Sequence, residues 1–103
     1  MEKDHEQDMT DIIWGNGANV VSNDIFVLNV THRKSGNSGK YSDTEKIRIS
    51  EADIPGLPHT REDWNEESLK SCVNEAFLKC EIEQREDSGI LSAKVSHSGV
   101  GGY

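Results

Sequence analysis

The residues best suited to chemistry in this chain are four histidines and two cysteines. Protein metal sites usually show ligand pairs at short spacing, such as Cys-x-x-Cys or His-x-x-x-His. No such pair occurs here, because each histidine stands alone and the two cysteines lie eight residues apart. We therefore expect no metal site and no cofactor. The six residues are His5, His32, His59, His97, Cys72 and Cys80.

The cysteines are also poor candidates for a catalytic nucleophile. Both fall on the apolar stripe of a predicted helix, and burial raises the pKa of a thiol and suppresses its reactivity. Eight helical residues span about 12 Å, so Cys72 and Cys80 cannot form a disulfide with each other while that helix is intact. Free thiols favour a reducing cytoplasm as the location.

The segment Gly36-Asn37-Ser38-Gly39-Lys40 superficially suggests a phosphate-binding loop. That motif requires four residues between its glycines and a Ser or Thr after the lysine. Here two residues separate the glycines, and Tyr41 follows the lysine. No catalytic motif remains, and we expect a protein that is not an enzyme.

The uneven distribution of acidic residues is the strongest functional signal. The chain has 19 acidic and 11 basic residues, a net charge of −8. Residues 1 to 11 and 61 to 87 carry the excess, and helix capping accounts for the acids near residue 62. We expect a partner-binding surface made of Glu66, Glu67, Glu75, Glu81, Glu83, Glu86 and Asp87, with Trp64 as an aromatic anchor.

The elements that must position this surface are predicted from hydrophobic periodicity. Residues 20 to 32 are rich in β-branched and aromatic types, and residues 45 to 50 alternate, so together they predict a β-hairpin. Gly15-Asn16-Gly17 predicts a turn before it. Residues 52 to 59 form a Pro- and Gly-containing connector, and residues 90 to 97 predict a last strand.

Residues 60 to 80 predict one amphipathic helix with Thr60 as its N-cap. Two alternatives remain open: the helix ends near residue 80 and a strand follows, or it continues to Glu86. The expected fold is α+β, an antiparallel sheet with the acidic helix packed across it, of order ββαβ or ββαββ. Residues 1–10 are expected to be a disordered acidic arm, 11–97 a single domain, and 98–103 a flexible Gly-rich tail.

These features predict a small acidic binding protein, an inhibitor or adaptor that docks onto the basic groove of a nucleic-acid-handling protein. In size and charge it resembles the acidic inhibitors that phages and mobile elements make against nucleases or CRISPR complexes, and toxin-immunity proteins. Such a surface imitates the phosphates of nucleic acid, while direct nucleic-acid binding and membrane insertion are not expected. The alternative is an oligomerising structural or regulatory subunit, for example a homodimer, whose acidity serves solubility.

Overall fold

The computed structural model describes residues 10–98. The chain forms five strands, β1 (Asp11–Ser22), β2 (Ile25–Arg33), β3 (Thr44–Asp53), β4 (Phe77–Arg85) and β5 (Leu91–His97). A short 3-10 helix (Arg61–Asp63) and one α-helix, α1 (Glu66–Val73), lie between β3 and β4. The predicted acidic arm, apart from Thr10, and the predicted tail, apart from Ser98, fall outside the described residues.

The five strands close into a barrel in the order β1-β2-β3-β5-β4, with β4 pairing back onto β1. Neighbouring strands are antiparallel except β3 and β5, which are parallel. The prediction of an open two-layer sheet, ββαβ or ββαββ, is therefore wrong. A five-stranded barrel of this topology, with its helix between the third and fourth strands, is of the OB type, an architecture that does not by itself specify a function.

The barrel interior is filled by alternate residues of every strand, as the period of two requires. Phe26 and Leu28 from β2 are fully buried, and so are Ile47 and Ile49 from β3. Helix α1 adds Leu69 and Val73 to the same core. The other buried apolar residues of the strands are Ile13, Ile25, Val30, Leu78, Cys80, Leu91, Ala93 and Val95.

The predicted turn at Gly15-Asn16-Gly17 is wrong, because these residues lie inside β1. Here glycine serves close packing. A Cβ atom on Gly17 would lie 2.0 Å from the carbonyl oxygen of Val73, at the end of α1. The absence of a side chain lets β1 and the helix approach each other.

The predicted helix over residues 60 to 80 is also wrong in extent. Helix α1 begins after Asn65, whose side chain accepts from the Ser68 amide while the Ser68 hydroxyl accepts from the Asn65 amide. This capping box fixes its start, whereas Thr60 precedes only the 3-10 helix and makes no side-chain cap. The helix ends at Val73, and Glu75 adopts a positive φ of 66° before β4 begins.

Cys80 therefore lies in a strand, and neither alternative for the end of the helix is correct.

Of residues 10–98, no helical segment has the length and apolar character needed to cross a bilayer.

Candidate protein-docking surface

The acids predicted to form one partner-binding surface are distributed over several parts of the barrel. Glu66 and Glu67 are exposed in the first turn of α1, beside a depression that Ala18 and Asn19 of β1 also line. Glu75 follows the helix, and its amide donates to the carbonyl of Gly17. They cannot form a single row because α1 is only eight residues long.

The four remaining acids lie on β4 or in the β4–β5 turn. Glu81 and Glu83 are on β4, and Asp87 is exposed in the turn. Glu86 differs from them because its carboxylate is 2.8 Å from the guanidinium of Arg48. The ion pair with Arg48 therefore largely neutralises the charge of Glu86 within the molecule.

Trp64 belongs to the core and is only 8% exposed. Its indole N–H donates to the carbonyl of Pro58 at 2.8 Å, and the Arg61 guanidinium lies 4.9 Å from the ring centroid. Buried indole groups need such a partner. The tryptophan predicted as an exposed anchor instead holds the β3–α1 connector against the barrel.

One acidic surface does form, across β3, β5 and β4, and we call it the acidic face: Glu51, Asp53, Glu81 and Glu83. Strand register brings these residues together, since Glu51 of β3 pairs with Lys94 of β5, which pairs with Glu81 of β4. The Ser92 hydroxyl of β5 donates to Glu83 at 3.3 Å. Two bases, Lys94 and Lys79, lie beside these acids.

Sequence analysis missed Glu51 and Asp53. The strand was predicted to stop at residue 50, and the following residues were assigned to the connector. In the structure β3 continues to Asp53, with Ala52 packed toward the core between two exposed acids. A β-bulge between Ile49 and Glu51 shifts the phase of the alternation, so the apolar positions resume at Ala52 and Ile54 rather than at residue 51.

The other side of the barrel carries no such charge. Residues 12 to 42, which form β1, β2 and the following loop, contain one acid, Asp24, and three bases, Arg33, Lys34 and Lys40. Asp24 lies 3.5 Å from both Arg48 and Arg61. This part of the described chain thus contributes little free negative charge of its own, while Glu81 of the acidic face lies on β4, next to β1.

The buried acid Asp11 organises the β2–β3 loop. The carboxylate of Asp11, 8% exposed, accepts hydrogen bonds from the Ser38 and Gly39 amides at 2.8 Å and from the Tyr41 hydroxyl at 2.6 Å. Burial alone would raise its pKa, but the hydrogen bonds from Tyr41, Ser38 and Gly39 outweigh burial and lower the pKa to about 2. Sequence analysis had counted Asp11 only as part of the acidic N-terminus.

A depression of about 730 Å³ opens beside this loop. Its walls carry charges of both signs, including Lys40, Arg85 and Glu83. Arg85 bonds to the nearly buried Glu45 and to the carbonyls of Gly89 and Lys40. Those contacts give the guanidinium a structural role, the attachment of the β4–β5 turn to β3.

Five of the six candidate chemical residues lie within the described part of the chain, and His5 lies outside it. Between residues 10 and 98, no three His, Cys, Asp or Glu side chains are arranged to hold a metal ion. Burial raises the pKa of the Cys80 thiol well above its usual range, and Cys72 is partly exposed. The ring of His32 packs edge-on against Phe77 at 6.0 Å.

Comparison with known proteins adds no relative: no protein-family model, curated protein or solved structure matches this chain.

Proposed function

We propose that this protein is a non-enzymatic binding protein that docks its acidic face onto a basic groove of a nucleic-acid-handling protein and acts there as an inhibitor or adaptor. The observation that carries the proposal is the clustering of Glu51, Asp53, Glu81 and Glu83 on one side of a rigid barrel. A groove that binds phosphates with Lys and Arg offers the complementary charge.

The pattern of ion pairs supports a role for these four carboxylates in binding a partner rather than in stabilising the fold. Asp24, Glu45 and Glu86 bind arginines within the barrel, so they contribute little to the external field. Within residues 10–98, Glu51 and Asp53 form no ion pair, and Glu81 forms one with Lys79, at 3.7 Å. Unpaired carboxylates on one face create a directed field, which accelerates association with a basic partner.

The alternative, an oligomerising subunit, has less support. Among residues 10–98, the exposed large hydrophobic side chain is that of Val21, which is 46% exposed. Stable homodimer interfaces, in contrast, are usually more apolar than the rest of the surface. We further propose the reducing cytoplasm as the site of action, since both cysteines are free.

The test compares two variants that each remove four negative charges. The first is Glu51→Gln, Asp53→Asn, Glu81→Gln, Glu83→Gln. The second, a control, neutralises the acids around the start of α1: Glu62→Gln, Asp63→Asn, Glu66→Gln, Glu67→Gln. Basic proteins recovered from nuclease-treated lysate at low salt would be purified, and their affinity for each variant measured at several salt concentrations. Competition with an oligonucleotide would show whether the docking site is the partner's nucleic-acid groove.

The acidic-face variant should lose about 30-fold in affinity, equivalent to about 2 kcal/mol, and the control much less. Affinity of the unmodified protein should fall as salt rises. Equal losses in both variants, or binding that an oligonucleotide does not displace, would contradict the proposal.

A further inference from the structure

A pocket of about 340 Å³ lies at the edge of the acidic face, where β3 leaves the barrel. We call it the β3 pocket. Its volume is at the lower end of the range for ligand sites, which is about 300 to 1,000 Å³. It suits a single long side chain better than a larger molecule. Its lining includes Glu51, Asp53, Ile54, Leu57, Pro58 and Trp64.

One wall of the β3 pocket is apolar and firmly held. Ile54, Leu57 and Trp64 are each less than 9% exposed and belong to the core. The hydrogen bond from the Trp64 indole to the Pro58 carbonyl fixes the connector that forms this wall. A rigid apolar wall matches the methylene stem of a long side chain.

The other wall carries two free carboxylates. Glu51 and Asp53 are exposed, and no ion pair joins their carboxylates to residues 10–98. The two acids also border a second depression, of about 250 Å³, that contains Glu81 and Lys94. The β3 pocket is thus continuous with the acidic face.

One guanidinium, that of Arg61, already lines the β3 pocket. Arg61 lies over the Trp64 ring and donates to the carbonyls of Ile49 and Ser50. Its carboxylate partner is Asp24, so its charge is matched without Glu51 or Asp53. Those two carboxylates remain available to a cation that enters from outside.

We propose that the β3 pocket receives an arginine side chain of the basic partner, an inference that rests on the proposed function. The aliphatic stem lies along Pro58 and the edge of Trp64, and the guanidinium bonds to Glu51 and Asp53. Arginine is preferred over lysine because its planar fork matches carboxylate geometry and packs against rings. The acidic face then supplies attraction, and the β3 pocket supplies specificity.

The first test uses capped tetra-arginine as a probe, with tetra-citrulline as its uncharged counterpart and tetra-lysine as the alternative cation. The NMR signal of the Trp64 indole N–H reports on the pocket, and that of Trp14, on β1, serves as an internal reference. We expect tetra-arginine to shift the Trp64 signal, tetra-lysine to bind at least about threefold more weakly, and tetra-citrulline to have no effect. Equal binding of tetra-lysine, or a shift confined to Trp14, would overturn the assignment.

The second test separates this inference from the proposed function. Glu51→Gln with Asp53→Asn, and Glu81→Gln with Glu83→Gln, each remove two charges from the acidic face. The first pair should weaken binding of tetra-arginine and of the purified partner about tenfold, and the second less than about threefold. Equal losses would overturn the pocket while leaving the docking proposal intact. Unchanged partner affinity in both would overturn the docking proposal as well.

Discussion

Replacing Asp11 with Asn tests how the β2–β3 loop is held to the barrel. The hydrogen bonds to this carboxylate lower its pKa from 3.8 to about 2. At about 1.4 kcal/mol for each pKa unit, the difference corresponds to about 2.5 kcal/mol of stability. An amide would also direct an N–H group at one of the present donors, from Gly39 or Tyr41, which adds about 1 kcal/mol. Asp11→Asn should therefore lower the free energy of unfolding at pH 7 by about 3.5 kcal/mol.

The pH dependence follows from the direction of the pKa change at Asp11. The pKa is lower in the folded state, so the folded protein binds fewer protons, and the stabilisation is complete above the unfolded pKa and is lost as pH falls toward 2. Asn does not titrate. The stability difference between the unmodified protein and the Asn variant should therefore shrink by about 1.5 kcal/mol between pH 6 and pH 2.5.

Urea unfolding followed by tryptophan fluorescence at a series of pH values would measure this difference. Asp87→Asn is the matched control, because Asp87 is exposed in the β4–β5 turn and its replacement should change stability by less than about 0.5 kcal/mol. A loss in Asp11→Asn that stays constant from pH 6 to pH 2.5 would refute the explanation from charge and hydrogen bonding. A loss no larger than that of the control would show that the loop does not depend on Asp11.

Two further predictions concern the core. Gly17→Ala should lower the unfolding free energy by more than about 2 kcal/mol, because the Cβ of alanine would collide with the carbonyl oxygen of Val73. A melting temperature within about a degree of that of the unmodified protein would contradict this prediction. In the native state Cys72 should react with a thiol reagent much faster than Cys80, whose pKa is raised by burial. Mass spectrometry of the labelled protein distinguishes the two cysteines, and equal labelling would count against the buried position of Cys80.

Sequence reasoning identified strands where the local pattern was unambiguous. The alternation predicted over residues 45 to 50 lies within β3, and the strand predicted over residues 90 to 97 corresponds to β5. Both signals are local, because side chains alternate between the barrel interior and the solvent. The hairpin pairing of β2 with β3 was also correct.

The closure of the barrel was not accessible to the same reasoning. It depends on the parallel pairing of β3 with β5 and on the return of β4 to β1, contacts between residues far apart in sequence. The helix error has a related cause, because the apolar residues from Leu69 to Cys80 satisfy a helical spacing while Leu78, Cys80 and Ile82 also satisfy a period of two. The pairing of Leu78, Cys80 and Ile82 with β1 and β5 resolves this ambiguity in favour of a strand.

The acidic face shows the same limit for function. The excess of acids on residues 61 to 87 was visible in the sequence, but which acids are neighbours depends on strand register. Glu51 and Glu81 are 30 positions apart and are brought together only through Lys94 of the intervening strand. Composition alone can suggest a basic partner, and only the register defines where that partner would dock.

The closed ring of strands limits the ways in which this molecule can engage other proteins. Many small domains bind peptides by adding them as an extra strand, which requires a sheet edge with unpaired backbone groups. Every strand of this barrel has a neighbour on both sides, so that route is closed along the paired segments. Along those segments a partner can contact only side chains, and substitutions there can alter the outer surface without exposing an edge that promotes aggregation.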